Sequence, residues 1–181
     1  MTSEGRIVVH ADESCLGNGR EGDNPGGAGG LVEIARGTGV SRRDYYVAEP
    51  ATTNNRMALR SAITALVLLG VKGRPLALEF VSDSSYLVKG MSEWVPGWRA
   101  RGWRRKGGEL QNLELWQELS DLAEPHDIGW RWVRGHADDP RNAYADHLAT
   151  KAARDQVSSD GLVESGFVEW LAAQREKGLF L

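Results

Sequence analysis

Three aspartates stand where they could bind a metal ion together. Asp12 ends the β-rich segment "RIVVHAD", Asp83 ends "PLALEFVSD", and Asp146 lies in the helical segment "RNAYADHLA". Sites in parallel α/β units form where the carboxyl ends of strands meet. Carboxylates that converge without basic partners need a hard cation, which Mg²⁺ fits best. On spacing alone, the simpler reading is a helix N-cap at Asp83 and a solvated charge at Asp146.

A histidine follows a predicted strand in "VRGHADDP". His136 lies on a glycine-bearing loop, where a histidine near carboxylates could pass a proton to a leaving group. An ordinary surface histidine is the alternative for this residue considered alone.

A basic and aromatic segment, "EWVPGWRARGWRRKGG", runs over 93–108 and has no acid between its two ends. Cations that contact phosphates and rings that pack on sugars or bases are typical of a nucleic-acid groove. The alternative is a buried helix face of tryptophans with a solvated basic edge, and both descriptions can hold together. The candidate binding residues are Trp94, Trp98, Arg99, Arg101 and Trp103.

Composition predicts an ordinary globular protein. The chain has 181 residues and a net charge of −3, and one cysteine, so an intramolecular disulfide is excluded. No apolar run reaches the roughly 20 residues that span a bilayer, and the first residues do not form a secretory signal. We therefore expect a cytoplasmic monomer with no membrane association.

The order of predicted elements indicates an α/β fold. Three strands in the first 50 residues form an antiparallel meander, and a helix over 54–70 precedes a buried strand over 75–83. Further helices, a strand over 127–135 and a helix over 141–155 follow, with a short amphipathic helix near the end. The pattern predicts a mixed sheet with three antiparallel strands, further parallel strands and helices on its faces.

These segments together resemble bacterial-type ribonuclease H of type 1, over about residues 6–155. The matching segments, in order, are "ADESCLGN", "TTNNRM", "SDSSYLVKGMSEWVPGWRARGW", "LWQEL", "WRWVRGHADDPRN" and "ADHLA". The resemblance implies a ribonuclease H-like five-stranded sheet and an endonuclease that cuts the RNA strand of RNA–DNA hybrids. It implies two Mg²⁺ or Mn²⁺ ions, which clamp the attacking and leaving oxygens. The predicted domains are a ribonuclease H domain over 1–155 and a C-terminal extension over 156–181.

The resemblance also assigns roles to single residues. The family's metal ligands match Asp12, Asp83 and Asp146, and its mobile loop histidine matches His136. Contacts in the minor groove, where the 2′-hydroxyl identifies RNA, match Cys15, Asn18, Asn54 and Asn55. The pocket for a DNA phosphate matches Thr53 and Arg56, and the basic protrusion that grips the DNA strand matches 94–106.

Two departures from the family pattern bear on activity. The family's Asp-Gly-Ser is Asp12-Glu13-Ser14 here, and the family's fourth carboxylate, a Glu after "NNRM", is Ala58. Three explanations are open: an engineered change, a natural hybrid-binding module that does not cut, or replacement of the missing acid by Glu13. Against replacement, adjacent strand residues point to opposite faces. We favour a variant that retains metal-dependent cleavage.

Overall fold

A mixed β-sheet organises the chain. The computed structural model describes residues 5–17, 24–104, 107–135 and 138–181. Within these ranges the sheet has six strands in the order β5-β4-β1-β2-β3-β6. Strands β1, β2, β3 and β6 pair antiparallel, and β4 and β5 join β1 in parallel. The strands are β1 (Arg6–Cys15), β2 (Gly26–Arg36), β3 (Gly39–Glu49), β4 (Ala77–Ser82), β5 (Asp127–Trp132) and β6 (Val163–Glu164).

The predicted mixed sheet is confirmed, but the prediction of five strands was wrong. The sixth strand, β6, comes from the C-terminal extension, where Val163 pairs with Asp44 and Glu164 with Arg43. Two residues are too few to show the alternation by which a strand is recognised in a sequence. This strand forms because the outer edge of β3 offers backbone groups with which it can pair.

Helices cover both faces of the sheet. They are α1 (Asn54–Leu69), α2 (Ser85–Lys89), α3 (Val95–Ala100), α4 (Leu113–Ala123), α5 (Pro140–Asp155) and α6 (Phe167–Glu176). The Thr53 hydroxyl caps α1 by accepting a hydrogen bond from the Arg56 N–H at 3.2 Å. A π-helical turn over Gly90–Trp94 joins α2 to α3. Among the described helices, none has the length and apolar character needed to cross a bilayer.

Different helices cover the two faces of β2. Along β2, Ala28 and Val32 are buried on the face of the main core, which α1 and α4 cover. On the opposite face, a Cβ added at Gly27 would overlap the backbone of Ala149 and Ala153 in α5. Glycine therefore allows α5 to lie directly on the strand, which fixes the distance between that helix and the sheet.

The basic segment begins on a helical run that is anchored by aromatic rings. A Cβ at Gly90 would overlap the ring of the fully buried Trp116, so the π-helical turn lies directly against α4. Trp94 and Trp98 pack on each other with ring centroids 5.9 Å apart, and Trp98 packs on Trp116 at 5.5 Å. The part of the segment up to Trp103 is thus packed against the core.

Candidate active site

Carboxylates meet at the carboxyl ends of two adjacent parallel strands. The register pairs Ala11 of β1 with Ser82 of β4, so that Asp12 and Asp83 follow side by side. One carboxylate oxygen from each of Asp12, Glu13 and Asp83 lies within 4.8 Å of the other two. Asp12 is buried, with 7% of its surface exposed. The structure thus brings two of the predicted ligands together and adds Glu13 to them.

Glu13 reaches this cluster from the α1 face of the sheet. The antiparallel register places Asp12 opposite Gly29 and Glu13 opposite Ala28. Paired residues share a face, and Gly29 lies against α5, where an added Cβ would be 2.6 Å from the Leu148 Cβ. Asp12 is therefore on the α5 face, and Glu13 is on the α1 face.

Ala58 stands on that same α1 face. It is buried, with 1% exposed, in the core cluster formed by α1 and the sheet. The charge of Glu13 also reaches this core, because it helps to raise the pKa of the buried Tyr45 phenol. In the sequence, the alternation of strand residues counted against Glu13, because it points Glu13 away from Asp12. In the structure, the same alternation places Glu13 on the face that α1 covers, which is the face where Ala58 lies.

Burial and mutual repulsion disfavour the charged forms of these carboxylates. Burial, followed by the charge of Asp83, raises the pKa of Glu13 to about 8. Burial and then neighbouring carboxylates likewise raise the pKa values of Asp12 and Asp83. Among the described residues, no basic side chain forms an ion pair with these three acids. Such a set of oxygen donors fits a divalent cation, which would supply the missing positive charge.

Asp146 lies beside this cluster, on α5. Its side chain is exposed, and its Oδ1 accepts a hydrogen bond from the Thr150 hydroxyl at 3.5 Å. Its charge contributes to the raised pKa values of Asp12 and Asp83. Asp146 is therefore close enough to the cluster to affect its electrostatics, and it lies on the solvent-facing side of the cluster.

The loop after β5 approaches Asp83 closely. A Cβ at Gly135 would lie 2.7 Å from the Asp83 Oδ2. The next residue, His136, lies outside the described residues, as do Asn18, Arg105 and Lys106. The predicted roles of His136 and Asn18 therefore stay predictions.

Trp132 is a site residue that the sequence interpretation missed. Its alternation with Ile128 and Trp130 in "DIGWRWVRG" predicts a core or packing residue, but Trp132 is 51% exposed. Its Nε1 donates a hydrogen bond to the backbone carbonyl of Asp83 at 3.0 Å. The alternation with Ile128 and Trp130 indicated its face, whereas its exposure follows from its place at the end of an edge strand.

Three of the predicted minor-groove residues, Cys15, Asn54 and Asn55, lie where β1 ends and α1 begins. The Cys15 thiol points at the Thr52 carbonyl, with 3.5 Å between sulfur and oxygen. Thr53 is exposed at the α1 N-cap, and Asn54 and Asn55 form the first helical turn. These polar residues thus lie beside the end of β1, the strand that carries Asp12 and Glu13.

Arg56 opens onto a groove between α1 and the basic segment. The groove has a volume of about 780 Å³, and Trp103 and Arg104 also line it. The Arg56 Nε donates to the Glu49 Oε2 at 3.0 Å, which orients the guanidinium. This arrangement could hold a backbone phosphate.

The other residues of the basic segment divide between packing and solvent. Trp94, Trp98 and Trp103 are half-buried against the core, as the packing alternative supposed. Arg99 pairs with Glu124 at 2.9 Å and donates to the Ser120 hydroxyl at 3.0 Å, so it fixes the segment to α4. Arg101 is exposed.

Comparison with known proteins agrees with the fold. The RNase H family model matches residues 4–154. Ribonuclease H of Cupriavidus necator is 44% identical over 147 residues, which cover 80% of this chain and 93% of the relative. Ribonuclease HI of Caulobacter vibrioides is 40% identical over 150 residues, covering 82% and 93%.

A solved structure resembles the chain over most of its length. LC9-RNase H1, described as a type 1 RNase H with the type 2 active-site motif, is 56% identical, with a TM-score of 0.87. The match covers 93% of this chain and 82% of that one. The chain therefore belongs to the ribonuclease H family, as an endonuclease of the bacterial type 1 group.

Proposed function

We propose that the chain hydrolyses the RNA strand of RNA–DNA hybrids with divalent cations held by Asp12, Glu13, Asp83 and Asp146. The observation that carries this proposal is the close approach of three carboxylates without an ion-pair partner among the described residues. A partly buried cluster of this kind is electrostatically unfavourable by itself. Its repulsion is relieved when a cation binds, which favours a metal site over a structural one.

Glu13 takes the part of the family glutamate that is missing at position 58. It supplies a fourth carboxylate from the same face of the sheet as Ala58, so the charge of the site is retained. The solved relative described as a type 1 RNase H with the type 2 active-site motif supports the idea that the type 1 fold accepts more than one active-site motif. A binding module without activity is not favoured by any feature of the described residues.

The side chains of the site divide the work of hydrolysis. Two divalent cations, Mg²⁺ or Mn²⁺, would lower the pKa of the attacking water and stabilise charge on the leaving 3′ oxygen. Asp12, Glu13 and Asp83 would hold these ions, and Asp146 would complete the ligand set on the solvent-facing side. His136, which follows Gly135 in the sequence, would donate a proton to the leaving 3′ oxygen. The products would carry 5′-phosphate and 3′-hydroxyl ends.

Substrate recognition would come from the two polar borders of the site. Cys15, Asn54 and Asn55 would contact the minor groove, where 2′-hydroxyls distinguish the RNA strand, and the resemblance gives Asn18 the same role. Thr53 and Arg56 would hold a phosphate of the DNA strand, and the groove beside Trp103 and Arg104 would receive the strand beyond it. One border of the site would thus distinguish RNA from DNA, and the other would position the duplex through its phosphates.

Cleavage of an end-labelled RNA–DNA hybrid tests the proposal. We expect Mg²⁺- or Mn²⁺-dependent cutting of the RNA strand, no cutting of the DNA strand and no activity in EDTA. Asp83→Asn should reduce cleavage strongly while hybrid binding, measured at low salt by gel shift, is retained. Binding without cleavage under any divalent cation would overturn the enzymatic role in favour of a hybrid-binding module.

The stability of the metal-free protein should fall as pH rises. Burial raises the pKa of Glu13 from its ordinary value to about 8, so the folded state holds a proton that the unfolded state has released. Unfolding is therefore increasingly favoured between about pH 5 and pH 8. Glu13→Gln should reduce this slope, to which Asp12 still contributes because burial and neighbouring carboxylates raise its pKa to about 9. It should stabilise the metal-free protein at pH 8 by on the order of 2–4 kcal/mol.

Denaturation in EDTA at a series of pH values measures this effect. Added Mg²⁺ should stabilise the parent at pH 8 and stabilise Glu13→Gln less. A parent protein whose free energy of unfolding does not change over this pH range would contradict the proposed cluster electrostatics.

A further inference from the structure

The C-terminal extension is joined to β3 by a series of hydrogen bonds. The Ser158 hydroxyl accepts from the Ala48 N–H and the Ser159 hydroxyl from the Tyr46 N–H, each at 3.0 Å. The Ser159 N–H donates to the Tyr46 carbonyl at 2.9 Å, and β6 continues the pairing at Asp44 and Arg43. This part of the chain is therefore built into the edge of the sheet.

One buried node connects β3, α5 and the extension. The Tyr144 hydroxyl of α5 donates to the Asp44 Oδ2 of β3. The Gly166 N–H, at the start of α6, donates to the same Oδ2 at 3.2 Å and to the Tyr144 hydroxyl oxygen at 3.1 Å. Asp44 is 4% exposed and Tyr144 is 3% exposed. A buried carboxylate depends on such donors, so all three segments are held in one arrangement.

A buried ring of the extension secures the same end of α5. Phe167 is 3% exposed and packs on Tyr144, with ring centroids 5.3 Å apart. The Arg141 and Arg42 guanidinium carbons lie 5.6 and 5.5 Å from the centre of the Phe167 ring. Both arginines also pair with Glu33 of β2. The first turns of α5 are therefore held by side chains, and the extension supplies the ring at their centre.

Asp146 stands between two differently held parts of α5. After it, the helix lies directly on the glycines of β2, through Leu148, Ala149 and Ala153. Before it, Tyr144 holds the helix over Leu31 through the node and the Phe167 ring. A shift of the first turns would move Asp146 relative to Asp12 and Asp83, which β1 and β4 fix independently.

We infer that residues 158–167 of the extension are part of the active site's support, and that Tyr144 is a positioning residue that sets Asp146 for metal binding through the Asp44–Gly166 node. The inference rests on the proposed metal role of Asp146. It assigns residues 158–167 a function in catalysis although they lie beyond the 4–154 family match. Loss of the Tyr144 hydroxyl leaves buried Asp44 with one donor fewer and loosens the helix at the point where the ligand is carried.

Direct Mn²⁺ titration of the full chain without substrate tests the inference. We expect Tyr144→Phe to raise the Mn²⁺ dissociation constant by about 3- to 10-fold, below the roughly 10- to 100-fold loss seen for groups that touch a ligand directly. The Mn²⁺ concentration for half-maximal cleavage should rise in parallel, while the KM for hybrid stays unchanged. The matched control is Leu171→Ala, which truncates a side chain of the same apolar cluster without touching the node.

The outcomes are distinct. Weaker Mn²⁺ binding by Tyr144→Phe with parental binding by Leu171→Ala, whatever the melting temperatures, supports the inference. Unchanged binding by Tyr144→Phe, or equal weakening by both variants, overturns it. Asp146→Ala separates the premise: if this variant binds Mn²⁺ as the parent does, the proposed metal role of Asp146 fails, and the inference fails with it.

Discussion

Replacing Glu13 with glycine is expected to lower hybrid cleavage by roughly 100-fold or more, since loss of even an outer-shell partner costs about 10–100-fold. The substitution removes one of three clustered carboxylates and restores the family's Asp-Gly-Ser sequence without its glutamate at position 58. Hybrid binding should change little, because the polar borders of the site stay intact. Single-turnover cleavage with saturating Mg²⁺ measures the effect.

The matched variant moves the acid from the strand to the helix. Glu13→Gly combined with Ala58→Glu should recover a large part of the lost activity, because both positions are on the α1 face. Ala58→Glu alone should destabilise the metal-free protein, since it adds a further acid to a buried cluster. Full activity in Glu13→Gly, or inactivity of the parent that Ala58→Glu repairs, would show that Glu13 does not replace the missing acid.

Gly27→Ala is expected to disrupt the contact between β2 and α5 and to lower cleavage. The added Cβ would overlap the Ala149 carbonyl oxygen and the Ala153 nitrogen, which are backbone atoms and cannot turn aside. Either α5 or β2 must move, at a cost of about 1–3 kcal/mol or more. Because α5 carries Asp146, cleavage should fall by roughly 10- to 100-fold even where the protein remains folded.

Gly129→Ala in β5 is the control, because an added Cβ there has no neighbour within 4 Å. Chemical denaturation and cleavage assays should show a large difference between the two variants. Equal stability and activity would mean that the close approach of α5 to β2 does not determine the position of Asp146.

The sequence predicted those parts of the site that depend on regular elements. Asp12 lies near the carboxyl end of β1 and Asp83 follows β4, and parallel pairing of those strands was enough to bring their carboxylates together. The face of Glu13 could not be assigned in this way. Alternation shows only that Asp12 and Glu13 point to opposite faces of the sheet. Which face is next to Ala58 depends on whether α5 or α1 covers it, and the sequence pattern does not show this.

The extension shows a second limit of sequence reasoning. Its helix could be predicted from apolar spacing, but β6 has only two residues, and the node at Asp44 joins groups that are 100 and 122 positions apart. No local pattern records such contacts. Trp132 was misread for a related reason, because the same alternation continues where a strand leaves the covered part of the sheet.

The hydrogen bonds between the extension and β3 have a consequence for association between molecules. An open edge strand offers its N–H and C=O groups to a strand of another chain, which is a route to aggregation. Here the Tyr46 and Ala48 N–H groups are taken by serine hydroxyls, and Asp44 and Arg43 pair with β6. The same residues that hold α5 therefore also close the sheet against edge-to-edge assembly, and variants that detach them should lose solubility as well as activity.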